Sequence, residues 1–145
     1  MKKVAPAIQN LARQLLLQEA GGNLEEMVHG AESACSKLRF HLARLIGIVG
    51  FVALLSRALV LAQAEVPWLR AVQVKPDGVL EGLRETPATQ DRDEAEEGYV
   101  ALLAQFIGLL VLFIGETLTT RFIHEIWPEV RQRHTISGVK EKIEG

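Results

Sequence analysis

Cysteine is nearly absent from this chain: Cys35 stands alone among 145 residues, so no disulfide can form within it. That excludes the small disulfide-stapled scaffolds and fits a reducing cytoplasm. A charge excess is missing as well. Sixteen basic against 18 acidic residues leave a formal net charge of -2, which supplies no broad electropositive field for a phosphate backbone. Nucleic acid is therefore not an expected partner. The opening stretch "MKKVAPAIQNLARQ" lacks the uninterrupted apolar run of a secretory signal. No phosphate-cradling loop is present either, because Gly21, Gly22, Gly47 and Gly50 precede no Lys-Ser or Lys-Thr pair.

Chemistry-bearing constellations are also scarce. His29, His41, His124 and His134 show no paired spacing with Cys35 or with carboxylates that would build a zinc site, so neither metal nor cofactor is expected. Cys35 falls on the apolar stripe of a helical pattern with no base beside it, which suits a small packed hydrophobe better than a nucleophile. A non-catalytic role follows by elimination.

What the sequence does hold is apolar bulk, 48% of all residues, concentrated in two blocks. "LIGIVGFVALLSRALVLA" runs from Leu45 to Ala62 with Arg57 as its one charge; "GYVALLAQFIGLLVLFIG", Gly98 to Gly115, has none. Around them the periodicities are helical. Val4, Ile8, Leu11 and Leu15 form one face of an amphipathic helix over 4–20, stopped by Gly21-Gly22. Asn23 and Glu26 have the spacing of a capping box and open a second helix over 24–46. Gly47 and Gly50 mark a bend before a third helix over 48–65, which Pro67 ends. Pro-Asp-Gly at 76–78, between short extended runs, predicts a small hairpin or ordered loop confined to about 70–82. Residues 84–93 read as a mobile acidic loop. One long helix is predicted over 94–126, and residues 129–145 form a weakly periodic tail. The fold class is all-α: a single domain over 1–145, a bundle of about four helices.

Two placements compete for the apolar blocks. In a two-span membrane hairpin, residues 45–65 and 99–119 cross an inner membrane with both termini cytoplasmic, the basic residues Lys37, Arg39, Arg44 and Arg121 flanking them on that side. In a soluble cytoplasmic bundle the same blocks are core helices. Arg57 favours the bundle, because a charge in mid-span costs roughly 2.5 to 3.5 kcal/mol and leaves two apolar pieces too short to cross alone.

Candidate site residues follow from this choice. Arg57 and Glu116 are charges inside apolar segments, so a buried ion pair between them is expected as a specificity device. Gly47, Gly50, Gly108 and Gly115 lie among small residues on their helices, where close helix packing is expected. The functional expectation is a protein-interaction or regulatory module, self-associating and acting with a larger protein partner; the alternative is a membrane hairpin that senses or perturbs the bilayer.

Overall fold

A computed structural model describes residues 4–20, 23–83 and 91–130. Among these, four α-helices and one two-stranded hairpin build an all-α bundle. α1 (Pro6–Glu19) starts with proline at its first turn, where the missing N–H costs nothing, and buries Ile8, Leu11, Ala12, Leu15 and Leu16. α2 (Leu24–Glu65) opens with a complete capping box, the Asn23 side chain accepting from the Glu26 backbone and the Glu26 side chain answering to the Asn23 backbone.

α2 carries the expected break at Gly47, whose φ of 85° and ψ of 159° lie outside any helix. The bend is real in three dimensions. A Cβ built on Gly78 would meet Arg39 Cδ at 2.9 Å and the Phe51 ring at 3.1 Å. Twelve residues of straight helix would hold those two side chains roughly 18 Å apart along the axis. The second and third predicted helices are thus both present within the span of α2, meeting at the non-helical Gly47.

After α2, a short 3-10 turn (Pro67–Ala71) leads into β1 (Gln73–Val74) and β2 (Leu80–Glu81), antiparallel with Gln73 opposite Glu81. Gly78 supplies the turn's positive φ of 87°, and Asp77 Oδ1 accepts from the Val79 N–H at 3.0 Å. The hairpin lies where the Pro-Asp-Gly signal put it.

α3 (Arg92–Ile114) begins inside the segment expected as a mobile loop: Asp91 caps it, accepting from the Glu94 N–H at 2.8 Å, and Asp93 and Glu94 suit the positive end of the helix. Residues 84–90 lie outside the described residues, as do residues 131–145 of the predicted tail. The long terminal helix also needs correction. It stops at Ile114, and α4 (Glu116–Ile126) restarts after Gly115, at φ 93° and ψ 161°.

α3 is the core. Every side chain from Tyr99 to Ile107 is buried, which explains why this segment has almost no polar face. α2 and α1 both pack against it and against each other. α1 runs antiparallel along it, with Val4 against Gly108 and Arg13 bonded to Glu96 at 2.7 Å. α1 keeps Asn10, Arg13, Gln14 and Gln18 exposed on its outer face.

The layers are tied by one carboxylate. Glu19, at the end of α1, accepts from Ser33 Oγ at 2.9 Å, Lys37 Nζ at 2.5 Å and Trp127 Nε1 at 2.7 Å, joining α1 to α2 and to the end of α4. Burial pulls the Glu19 carboxyl upward, but those three hydrogen bonds and the Lys37 charge outweigh it and hold the group below the usual carboxylate range.

Candidate functional site

The two glycine breaks have the same backbone. Positive φ with ψ near 160° is a region that only glycine occupies without strain. A Cβ added at either glycine would meet nothing within 4 Å. Gly47 and Gly115 are therefore required by chain direction, not by the close helix packing expected of them. A Cβ at Gly50 would meet Ile46, four residues back across the Gly47 break, first, at 3.4 Å. Of the four, only Gly108 makes a close approach between elements, to Val4 at 3.1 Å. The tight contacts fall elsewhere: Gly30 lies against Ala20, where an added Cβ would sit 2.6 Å from its Cα, and Gly98 lies under the Trp68 ring.

The breaks are at one end of the molecule. His41 of α2 and Phe122 of α4 meet edge to face, ring centroids 6.3 Å apart. About one turn further, Lys37 and Trp127 share Glu19. These contacts set α4 antiparallel to the first half of α2, and the same register carried toward the tip would bring Gly47 level with the start of α4.

Around that end lies an apolar surface. Ten large hydrophobic side chains are exposed among the described residues, and seven lie within seven residues of Gly47 or Gly115 along the chain: Phe40, Leu45, Ile48, Val49, Leu112, Phe113 and Leu118. Val49 is 79% exposed and Leu112 83%, values otherwise suited to polar side chains. Such a concentration exceeds the scatter of single apolar residues that any protein surface shows.

Charge is distributed with equal asymmetry. Residues 33–64 hold four basic residues, Lys37, Arg39, Arg44 and Arg57, and no acidic one, whereas the whole chain is net negative. Arg44 is exposed and its guanidinium lies over the Phe40 ring, 5.7 Å from the centroid. Arg121 of α4 is exposed near the same end.

The expected ion pair is not formed. Arg57 is exposed, on the outer face of α2 together with Val49, Ala53 and Val60, and none of the described salt bridges joins it to Glu116. The reason is rotational: the buried stripe of this half is Phe51, Leu55, Ala58, Leu59 and Ala62, which turns position 57 outward. Glu116 is half-buried in the first turn of α4, where the helix dipole favours a carboxylate. The buried polar pairing that does occur is Gln105, whose amide donates to Glu65. Sequence reasoning passed over it because Glu65 lies at the edge of its block.

Nucleophilic or metal chemistry has little to work with. Cys35 is half-buried in the wall of a cavity of about 170 Å³ between α2 and the hairpin, beside Glu32, Ser36, Arg39, Val79 and Leu80. Burial, with the neighbouring Glu32 carboxylate, pushes its thiol up to about 12, so it stays protonated at neutral pH. No group of three or more His, Cys, Asp or Glu among the described residues is arranged to hold a metal ion. His29 and His124 are exposed, His41 is enclosed between Phe40 and Phe122, and His134 lies outside the described residues.

α2 and α3 are both long and apolar enough to cross a membrane, but they differ in cover: the apolar window of α2 is 28% buried and that of α3 61%. α3 is enclosed by the other helices, one of them polar on its outer face, and α2 is left open mainly at the tip. Compared with protein families, with curated proteins and with solved structures, the chain matches none, so its function has to be argued from these residues alone.

Proposed function

We propose that this chain is a non-catalytic helical docking module that attaches through the apolar tip at Gly47 and Gly115, on the water side of its target. The observation that carries this reading is the gathering of seven of the ten exposed large hydrophobics at one end of the fold. Leaving Leu112, Phe113 and Val49 in water forfeits about 1.5 to 3 kcal/mol each relative to burial, a large driving force for a covered state. Cytoplasmic location and action with a larger partner belong to the same reading.

The two-span alternative is less favoured by the packing. A full crossing along α3 would carry α1 with it, placing Asn10, Arg13, Gln14 and Gln18 in hydrocarbon, and a crossing along α2 would put Arg57 on the lipid face. The test is a tip variant, Leu112→Asp with Phe113→Asp, compared with wild type by light scattering and by fractionation of cell extracts. Attachment of wild type as an oligomer or to a carbonate-releasable pellet, lost in a variant of unchanged helicity, supports the proposal. A wild type that stays monomeric and unattached contradicts it. Carbonate-resistant pelleting with protease protection of residues 84–97 would instead establish the hairpin.

A further inference from the structure

We infer that the occupant of the tip is an anionic phospholipid bilayer, entered to shallow depth by the side chains around the two glycine breaks while the body of the bundle stays outside. The inference rests on the reading of the tip as a docking surface, and adds to it the chemistry of what is docked.

Charge complementarity decides between occupants. A second copy of the tip would set two arginines, Arg44 and Arg121, and one carboxylate, Glu116, against the same three groups, net positive on net positive. A bilayer with anionic headgroups answers both features at once: hydrocarbon for Val49, Leu112 and Phe113, phosphates for the arginines. The spacing agrees. Arg44 lies three residues from Gly47 and Arg121 six from Gly115, roughly 5 to 9 Å back along their helices. An interfacial helix inserts by about 5–10 Å, so tip side chains reach the acyl region as the guanidinium groups arrive at the headgroups. Arg44 already lies over the Phe40 ring, an aromatic and cation pair suited to the interface.

Arg57 acquires a role in this arrangement. It lies on the outer face of α2 ten residues beyond Gly47, roughly 15 Å up the helix, and exposed. Deeper insertion would drag it into hydrocarbon, so it sets a limit on depth and keeps the second half of α2 from following the tip. The rest of the chain carries the net negative charge and is repelled by the same lipid surface, which orients the body away from it.

The experiment is sedimentation of the full chain with sucrose-loaded vesicles of phosphatidylcholine alone or of phosphatidylcholine with phosphatidylglycerol, at low and high salt. The expected result is binding to anionic vesicles that exceeds binding to neutral ones by at least tenfold and weakens at high salt as charges are screened. Arg44→Gln and Arg121→Gln should each reduce the anionic preference by about fivefold. Leu112→Ser with Phe113→Ser should abolish binding to both compositions, with helicity unchanged by circular dichroism as the control for folding. Equal binding to both lipids, or arginine variants that bind as wild type does, would overturn the inference. A wild type that ignores vesicles but forms a dimer that the serine variant dissolves would overturn the bilayer as occupant while leaving the docking tip intact. A wild type that ignores vesicles and remains a monomer would overturn both.

Discussion

Glu19→Ala is the perturbation that most severely tests how the layers are held together. The Glu19 side chain is 11% exposed and receives three donors from two other parts of the fold. Its removal leaves the Trp127 indole N–H buried without an acceptor, since Trp127 is 1% exposed, at a cost of about 1–3 kcal/mol. The Lys37 pair adds at most about 1 kcal/mol, because Lys37 is half in water. The expected loss is therefore about 1–4 kcal/mol. Glu19→Gln keeps a carbonyl for the indole and loses the charge, so it should cost about 1 kcal/mol. The pH dependence has a definite sign. Because the folded-state carboxyl titrates lower than in the unfolded chain, its contribution is complete above the ordinary carboxylate pKa of about 4.3 and is lost as pH falls through the lower folded value. The gap between wild type and Glu19→Gln should hold from pH 7 to 5 and close in more acidic solution. Urea unfolding followed by tryptophan fluorescence and circular dichroism measures all three proteins. An alanine variant within about 0.5 kcal/mol of wild type, or a glutamine variant as damaged as the alanine one, would refute the reasoning.

Three further outcomes are expected. Gly47→Ala and Gly115→Ala should each destabilise by about 1–3 kcal/mol through backbone strain alone, whereas Gly50→Ala, in regular helix with ordinary contact to Ile46, should be neutral or stabilising by up to about 1 kcal/mol; denaturant midpoints decide. Arg57→Ala should change stability by less than about 0.5 kcal/mol, since the side chain is exposed and unbridged, and a loss of several kcal/mol in the same assay would restore a buried role. Cys35 should resist thiol reagents at pH 8 in the native protein and react on unfolding, because its thiol is pushed up to about 12; native labelling as fast as that of a free thiol would contradict this.

The fold was legible where local chemistry decides it. The Asn23 and Glu26 capping box, the Pro76-Asp77-Gly78 turn and the stop at Pro67 each act within a few residues, and each lies where its signal predicts. Gly47 was legible as a bend for the same reason. Gly115 was not, because an apolar helical pattern continues on both sides of it and only the φ of 93° distinguishes a break from a tolerated glycine. Gly98 was missed because its partner, Trp68, is distant in sequence and brought near by the loop that follows α2.

The candidate site shows the limit more sharply. Apolar residues signal burial, and within a nearly uniform block no periodicity tells which ones a fold leaves out. Leu45 continues the α2 stripe of Leu38 and Leu42, yet those two are buried and Leu45 is exposed, because the helix bends away two residues later. The same ambiguity misplaced Arg57: the charge was visible, but the face it occupies is set by Phe51, Leu55, Ala58 and Leu59, chosen by contact with α3. Lys37, Arg39, Arg44 and Arg121 were readable as membrane flanks, and their relation to exposed apolar side chains became visible only with the breaks at Gly47 and Gly115.

The depth of the tip in a bilayer tests the central claim most directly. In a Cys35→Ala background, an environment-sensitive fluorophore is placed in turn at Leu112→Cys, Val49→Cys and Gln14→Cys, and its quenching is measured with nitroxides attached at the headgroup and at shallow and deep acyl positions. A tip docked on a bilayer predicts that the labels at 112 and 49 are quenched best by the shallow acyl nitroxide in anionic vesicles, while the label at 14 stays in water. Labels at 112 and 49 that remain in water, or a label at 14 quenched from within the acyl region, would contradict it.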